Sequence, residues 1–237
     1  LISLMNILEE MVLYKIESLI FSSSCTVYGQ ADTLPITENA AIKPAESPYG
    51  KTKQIGEDIL RDVSKAENLN VIALRYFNPI GAHESALIGE LPLGVPQNLV
   101  PFVTQTAAGI RQELSVFGDD YPTPDGTAIR DYIHVVDLAE AHVAALDRLI
   151  NKKNKTHFEA FNIGTGKGSS VLELIKTFVK VSEKQLNCRI VGRREGDITA
   201  AYADTTLANQ ELGWQAKLSL ADALASAWRW QLKQEKN

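Results

Sequence analysis

The sequence predicts an α/β fold, the second half of a doubly wound parallel sheet followed by a smaller α/β lobe. Three observations support this prediction. The apolar run at 17–23 is typical of a strand buried on both faces, as in parallel sheets. A helix follows over 48–66, and a second strand follows at 70–78. This strand–helix–strand order indicates a right-handed parallel crossover.

The first helices and strands have clear signals in the sequence. A helix at 1–14 has no N-cap residue ahead of it, so the chain begins inside a helical pattern. Its apolar residues fall on one stripe: Leu1, Leu4, Met5, Leu8, Met11 and Val12. Helix 48–66 begins with Ser47, a favourable N-cap, and Pro48, which suits the first helical position. The strand at 70–78 is rich in β-forming residues, namely Val71, Ile72, Leu74 and Tyr76.

The residue pattern changes between 79 and 126, where Gly and Pro are frequent and only 99–111 is typical of a helix. Such an irregular stretch favours a binding surface over a core. Regular patterns then resume, and they predict strand 129–135, helix 136–150, strand 159–163, helix 170–184, strand 188–191, strand 200–203 and helix 219–233.

Composition excludes several classes of protein. The 237 residues are 45% hydrophobic with a net charge of −5, so the chain can form a core and no nucleic-acid partner is expected. No apolar run reaches the roughly 18 residues of a membrane helix, and the opening residues lack a signal-peptide pattern. Two cysteines suit a reducing compartment, and the histidines lack metal-ligand spacing. We expect a cytoplasmic protein with no membrane partner and no metal.

Ser24, Tyr49 and Lys53 are the candidate catalytic residues. Tyr49 and Lys53 are four positions apart and share a helix face. Ser24 ends a serine-rich run after the first strand, at the sheet edge where ligands bind in open α/β folds. Together they offer a hydroxyl, a phenol and a cation. Structural alternatives stay open, because the serines could cap a turn and the Tyr–Lys pair could be a solvated face.

These residues resemble the extended branch of the short-chain dehydrogenase/reductase superfamily, and within it the UDP-glucose 4-epimerase family. The resemblance runs from Leu1 to about Gln231. Four segments in the same order carry it: Phe21-Ser-Ser-Ser-Cys-Thr-Val-Tyr-Gly29, Leu74-Arg-Tyr-Phe-Asn-Pro-Ile-Gly-Ala82, Arg130-Asp-Tyr-Ile-His-Val135 and Arg193-Arg-Glu-Gly-Asp197.

The resemblance implies a Rossmann-like sheet and two domains. Residues 1–78 correspond to the second half of a dinucleotide-binding domain. Residues 79–237 correspond mainly to the nucleotide-sugar-binding lobe, with part of 129–163 returning to the sheet. The glycine fingerprint of a dinucleotide site does not precede Ser24. We therefore expect a fragment that is inactive as given.

The implied activity of the full-length enzyme is NAD-dependent epimerisation at C4 of a UDP-hexose, through a transient 4-keto sugar, in a homodimer. Tyr49 is the implied acid/base, Lys53 a ligand of the nicotinamide ribose, Ser24 a proton relay and Phe77 a nicotinamide contact. A free phenol ionises near pH 10, so work at pH 7 requires a shift of about three units, or about 4 kcal/mol. An ammonium about 5 Å away supplies roughly 3 kcal/mol at an effective dielectric of 20. We therefore expect Lys53 to lower the pKa of Tyr49.

Ten positions match the family's substrate site, around the sugar, the diphosphate and the nucleoside: Asn78, Asn98, Leu99, Phe117, Arg130, Tyr132, Val171, Arg194, Asp197 and Ala201. Arg130 and Arg194 are the implied diphosphate ligands, and Arg193 is expected to form a surface ion pair. Asp197 would contact the uridine ribose. Ala201 would leave space for a 2-acetamido group, which predicts acceptance of N-acetylated sugars.

Two other functions stay open. A nucleotide-sugar dehydratase of the same superfamily typically has an Asp-Glu pair after the strand-end hydroxyl, whereas Cys25 follows Ser24 here. A catalytically inactive nucleotide-sugar-binding fragment is the second. The glycine-rich segment 164–170 lacks the Gly-Lys-Ser/Thr ending of a phosphate loop and is interpreted as a tight turn near the uridine.

Overall fold

The structure, a computed structural model, describes residues 1–194 and 196–234. It divides the chain into two compact units. The first unit contains Leu1–Phe77, Glu140–Ile163 and Ala203–Gln215, and the second contains Asn78–Ala139, Gly164–Tyr202 and the chain from Ala216 onward. Among the described residues, the structure has no helix with the length and apolar character needed to cross a bilayer.

The helices and strands of the described residues follow the chain in this order. The helices are α1 (Ile2–Leu13), α2 (Pro48–Ala66), α3 (Leu99–Ala107), α4 (Val135–Ile150), α5 (Val171–Ser182), α6 (Thr206–Glu211) and α7 (Leu220–Gln234), with a 3₁₀ helix at Cys25–Tyr28. The strands are β1 (Ser18–Ser22), β2 (Asn70–Tyr76), β3 (Asn78–Ile80), β4 (Leu114–Phe117), β5 (Ile129–Arg130), β6 (Tyr132–His134), β7 (Phe158–Ile163), β8 (Ser169–Ser170), β9 (Cys188–Val191) and β10 (Ala200–Ala201).

The first unit is built on a parallel sheet in the order β1–β2–β7. The predicted burial of the first strand on both faces was wrong, because β1 is partly exposed, whereas β2 is buried along most of its length. Helices α1 and α2 pack on the sheet through one buried cluster. The cluster consists of Leu8, Met11, Leu60, Leu69 and Val71. The parallel crossover through α2 confirms the fold class predicted from the sequence.

The second unit combines three small sheets with helices α3, α5 and α7. The sheets have the orders β10–β5–β8, β3–β6 and β4–β9. Leu174 and Phe178 of α5 pack with Leu224 and Trp228 of α7 in the core. The Phe178 and Trp228 rings meet edge to face with centroids 5.7 Å apart. This core leaves the strand ends free to line a cavity.

Strand 129–135 was predicted as one element, and that prediction was wrong. The structure breaks it at Asp131, which is fully buried. The Asp131 carboxylate accepts hydrogen bonds from Thr165 N (2.8 Å), Thr165 Oγ1 (2.6 Å) and Gly166 N (3.1 Å). These bonds hold the chain between β5 and β6, which pair with different strands. A sequence pattern cannot show such a long-range anchor.

Residues 203–215 join the first unit, which the sequence did not predict. Arg148 of α4 is buried and donates to Glu159 of β7 at 2.7 Å and 3.0 Å. The same guanidinium donates to the Glu211 backbone oxygen at 2.8 Å and to its carboxylate at 3.0 Å. One buried arginine therefore joins α4, β7 and α6.

Candidate active site

Ser24 follows the carboxyl end of β1 and is 5% exposed. Its Oγ accepts hydrogen bonds from Thr26 N (3.2 Å) and Thr26 Oγ1 (3.0 Å), so it caps the following 3₁₀ helix. The capping role that the sequence left open is therefore present. The Ser24 hydroxyl also lies close enough to Tyr49 to act on the pKa of its phenol, in the lowering direction. The one hydroxyl thus serves both the turn and the phenol.

Tyr49 and Lys53 lie on the same face of α2, beside the end of β1. The Ser47 side chain caps this helix by accepting a hydrogen bond from Gly50 N at 3.1 Å. The Lys53 ammonium lies 5.5 Å from the centre of the Tyr49 ring and donates to Ser22 O at 2.8 Å. Tyr49 is 50% exposed, so its hydroxyl is accessible to a ligand.

The pKa of Tyr49 is raised, which is opposite to the predicted direction. Burial of the phenol is the largest cause, the neighbouring Tyr76 adds to it, and the hydrogen bond from Ser24 acts in the lowering direction. Burial also lowers the pKa of Lys53. The predicted stabilisation of the phenolate counted the ammonium charge but not the loss of water around both groups.

Phe77 directly follows β2 and is buried. Its backbone N–H donates to Ile163 O at 3.0 Å, which continues the pairing of β2 with β7. Ser24 and Phe77 therefore follow the carboxyl ends of neighbouring parallel strands. This is the edge at which ligands bind in open α/β sheets.

The second unit contains a cavity of about 570 Å³. Its lining includes nine of the ten residues that the sequence predicted for the substrate: Asn78, Asn98, Leu99, Phe117, Arg130, Tyr132, Val171, Arg194 and Asp197. They come from the start of β3, the start of α3, the end of β4, strands β5 and β6, the start of α5 and the loop after β9. The fold therefore collects residues that are far apart in the sequence.

Arg130 and Asp197 form an ion pair in this cavity. The distance from Arg130 Nη2 to Asp197 Oδ1 is 2.6 Å, and Arg130 Nη1 donates to Ile129 O at 2.8 Å. The neighbouring Tyr132 is 7% exposed, and burial raises the pKa of its phenol to about 12, with Arg130 opposing and Asp197 supporting the shift. Tyr132 is therefore a neutral hydrogen-bonding group at physiological pH.

The two neighbouring arginines after β9 have different environments. Arg193 lies at the surface, where its Nε contacts Asp120 Oδ1 at 2.7 Å and its guanidinium stacks 4.1 Å from the Tyr121 ring. The predicted surface ion pair of Arg193 is confirmed. Arg194 is exposed and lines the cavity.

Ala201 is the one predicted substrate residue that lies outside the lining of this cavity. It is 3% exposed and pairs with Arg130 between β10 and β5. In the glycine-rich segment 164–170, the Thr165 and Gly166 amides donate to the Asp131 carboxylate. These bonds favour the predicted tight turn over a phosphate loop.

Several cavity residues were missed by the sequence reasoning. Pro96 and Gln97 precede α3, Phe102 lies within it, and Ser115 lies on β4. The segment before α3 had a signal, since irregular residues next to a helix start often bind ligands. Ser115 had none, because β4 was not predicted as a strand.

Comparisons with known proteins show the family of this chain. A family model described as GDP-mannose 4,6 dehydratase matches residues 1–227. The chain belongs to this family. The UDP-glucose 4-epimerase of Bacillus subtilis (strain 168) is 53% identical over 224 residues, which are 94% of this chain and 65% of that relative. The chain thus spans about two thirds of the relative's length.

Solved structures of related proteins are similar throughout the chain. UDP-glucose 4-epimerase from Bifidobacterium longum, in complex with NAD+ and UDP, has a TM-score of 0.93 and 48% identity, covering 98% of this chain and 69% of that chain. The enzyme from Stenotrophomonas maltophila, with bound NAD and formylated UDP-arabinopyranose, has a TM-score of 0.92 and 48% identity, covering 97% and 67%. The predicted resemblance to UDP-glucose 4-epimerases is therefore confirmed.

Proposed function

We propose that this chain carries the nucleotide-sugar site and the acid/base residues of an NAD-dependent UDP-glucose 4-epimerase. The proposed reaction interconverts UDP-glucose and UDP-galactose by inverting C4 through a transient 4-keto sugar. The observation that carries the proposal is the cavity of the second unit, whose lining includes nine of the ten predicted substrate residues. The similarity to epimerases solved with NAD and UDP supports the same ligands.

The cavity suits a nucleotide diphosphate. Its volume of about 570 Å³ lies in the range of small-molecule sites. Arg130 and Arg194 present two guanidinium groups, which match the oxygens of a diphosphate with fork-shaped geometry. Asp197 is positioned to accept hydrogen bonds from ribose hydroxyls, and Phe117, 44% exposed, offers an aromatic surface. Binding concentrated on UDP leaves the hexose free to present either face.

The acid/base chemistry is assigned to Tyr49. Its raised pKa keeps the phenol protonated at neutral pH, so the hydroxyl can donate a proton to the 4-oxygen of the keto sugar. In the opposite direction, the ionised phenolate form of Tyr49 accepts the proton of the 4-hydroxyl, and Ser24 orients that proton through its contact with the phenol. This exchange is general acid–base catalysis by a group within hydrogen-bonding reach.

The residues of the first unit fit the nicotinamide end of NAD. Lys53 donates one hydrogen bond to Ser22 O at 2.8 Å, and an ammonium has three donors, so donors remain for ribose hydroxyls. Phe77 supplies an apolar neighbour at the same sheet edge. NAD, when bound, supplies the hydride chemistry at C4. Its positive charge would also favour the phenolate of Tyr49, since opposite charges stabilise the ionised form.

The proposal also includes acceptance of N-acetylated UDP-hexoses, because the side chain of Ala201 is small enough to leave space for a 2-acetamido group. Assembly as a homodimer is proposed from α1, where Ile2 is 80% and Leu13 69% exposed, because such apolar side chains favour a partner surface. A cytoplasmic location is proposed from the free thiols of Cys25 and Cys188, which suit a reducing compartment.

A dehydratase is the second candidate function, favoured by the description of the family model. The residues after Ser24 are against it. Cys25 and Thr26 stand where an added acid/base pair would be expected, and the Thr26 hydroxyl is already engaged with Ser24 Oγ at 3.0 Å. An inactive binding module is the third candidate, since the cavity alone accounts for nucleotide binding.

Turnover of UDP-galactose separates the three candidates. The experiment uses the complete gene product that includes this sequence, with NAD, and identifies the sugar product. Wild type should form UDP-glucose, and Tyr49→Phe should lower kcat at least about 100-fold, as expected for loss of a general acid/base, with UDP affinity unchanged. Tyr14→Phe is the matched control, because Tyr14 is 69% exposed at the end of α1.

The outcomes that contradict the proposal are distinct. A dehydrated 4-keto-6-deoxy product would establish the dehydratase. UDP binding without conversion of any UDP-hexose by the complete protein would establish a binding module. Full activity of Tyr49→Phe would remove Tyr49 from the chemistry.

A further inference from the structure

Glu57 is a buried carboxylate on the same face of α2 as the acid/base residues. It lies one turn after Lys53 and two turns after Tyr49 and is 3% exposed. Its Oε1 accepts a hydrogen bond from Ser23 Oγ at 2.5 Å. The carboxylate also accepts from Arg75 Nε at 2.9 Å and from Arg75 Nη2 at 2.6 Å. Glu57 therefore connects α2 to the ends of β1 and β2.

Burying the Arg75–Glu57 ion pair in the core has a desolvation cost. The side chains of Arg75 and Glu57 are 5% and 4% exposed, and a buried ion pair is often no more stabilising than apolar residues of similar volume. The pair fixes the orientation of both side chains, because a guanidinium fork and a carboxylate fit together in one geometry. Although burial opposes it, hydrogen bonding to Glu57 leaves the pKa of Arg75 above its usual value, so the arginine stays charged.

The Glu57 contact is one of several points at which α2 meets the end of β1 and the segment that follows it. Lys53 Nζ donates to Ser22 O at 2.8 Å. Gly50 lets the helix approach the 3₁₀ helix closely, because a Cβ there would lie 3.1 Å from Thr26 O and 3.3 Å from Thr26 Cβ. Ser23 lies between these points and has no solvent exposure. A shift of α2 along the strand end would break these contacts.

We propose that Glu57 is a positioning residue for the acid/base group: by holding Ser23, it fixes the neighbouring Ser24 Oγ against the Tyr49 hydroxyl. The inference rests on the proposed function and adds a residue to it that touches neither substrate nor cofactor. Loss of the Ser23–Glu57 bond should affect the chemical step rather than binding, because the cavity residues belong to the other unit. A displacement of about 1 Å can cost up to about 100-fold in rate.

Ser23→Ala is the decisive variant. Glu57→Gln would leave Arg75 unpaired and is expected to impair folding, whereas Ser23→Ala removes one hydrogen bond and keeps the ion pair. Ser64→Ala is the matched control, because Ser64 lies on α2, has no solvent exposure and donates to Arg61 O of the same helix at 2.9 Å. Ser23→Thr keeps the hydroxyl and should restore activity.

In the complete gene product, Ser23→Ala should lower kcat about 10-fold with KM for UDP-galactose within about two-fold. The pH profile of kcat should move to higher pH, because the Ser24 contact acts to lower the pKa of Tyr49. Ser64→Ala should leave both unchanged. Wild-type kcat and pH profile in Ser23→Ala, or an equal loss in Ser64→Ala, would overturn the proposal.

A second measurement separates this inference from the proposed function. In the 237-residue chain, Ser23→Ala should shift the amide resonances of Ser24 and Tyr49, and Ser64→Ala should shift neither. If wild type has no epimerase activity, the proposed function fails while these resonances still report whether Ser23 positions Ser24. Unmoved resonances in Ser23→Ala would overturn the positioning role.

Discussion

Arg130 and Asp197, 67 positions apart in the sequence, are paired at 2.6 Å inside the cavity of the second unit. Their side chains are 15% and 28% exposed, so solvent screens the charge interaction only in part. Each was predicted to contact a different part of the same ligand. The carboxylate orients the guanidinium before binding, and Arg130 retains N–H donors for a phosphate. This pairing supports the proposal that the cavity binds a diphosphate.

Arg130→Ala should weaken UDP binding at least about 10-fold. The variant removes a fork-shaped donor and leaves the Asp197 carboxylate to repel the diphosphate. Calorimetric titration of the 237-residue chain with UDP measures the change. Arg189→Ala is the matched control, because Arg189 forms an exposed pair with Glu113 and should change the affinity less than about two-fold. Equal losses in both variants would mean that only net charge matters.

Gly126→Ala should disrupt the loop after β4. Gly126 has φ +80°, and a Cβ there would lie 2.0 Å from the Asp119 backbone oxygen. Gly109→Ala is the control, since Gly109 has φ +76° with nothing within 4 Å. Both variants carry backbone strain on the order of 1 kcal/mol. Only Gly126→Ala adds a steric clash, which should displace Phe117 and weaken UDP binding. Matching thermal shifts for the two variants would contradict the steric explanation.

Arg148→Ala should destabilise the first unit by about 3 to 5 kcal/mol. The variant leaves Glu159 buried without its partner, which is more costly than loss of a surface pair. Lys155→Ala is the control, because Lys155 is exposed and contacts the same Glu211 that Arg148 contacts. It should cost less than about 1 kcal/mol. Urea unfolding followed by circular dichroism measures both, and equal midpoints would refute the prediction.

The first unit should lose stability between about pH 10 and pH 12. Burial raises the pKa of Tyr28 from 10.0 to about 12, so the folded state keeps a proton that the unfolded state loses. This contribution is fully present below pH 10 and is lost as the pH rises through 12. A shift of about two units corresponds to about 3 kcal/mol.

Urea unfolding at pH 9 and pH 11 measures this dependence. Tyr28→Phe should flatten it, even though the variant also loses the hydrogen bond from Tyr28 to Asn162 at 2.6 Å. Tyr14→Phe serves for comparison, because Tyr14 is 69% exposed and its loss should leave the dependence as in wild type. An unchanged slope in Tyr28→Phe would assign the alkaline loss to other groups.

The sequence alone was sufficient where the signal was local. The Ser47 cap and Pro48 predicted the start of α2, and the spacing of Tyr49 and Lys53 predicted their shared face. Apolar runs predicted the strands of the first sheet, although the structure buries β2 along most of its length and leaves β1 partly exposed. The resemblance of short segments predicted ten substrate residues, and nine of them line the cavity. These features depend on neighbours within about one helical turn or on recognisable segments.

The tertiary structure decided what depends on distant partners. The break at Asp131, the buried bonds of Arg148 and the link from Glu57 to Ser23 join residues that no local pattern connects. The same holds for the pKa of Tyr49, where burial outweighs the hydrogen bond from Ser24. Local chemistry specified which groups are available. Packing fixed where each group points and how much water it keeps, because desolvation and hydrogen-bond geometry arise only when separate segments meet.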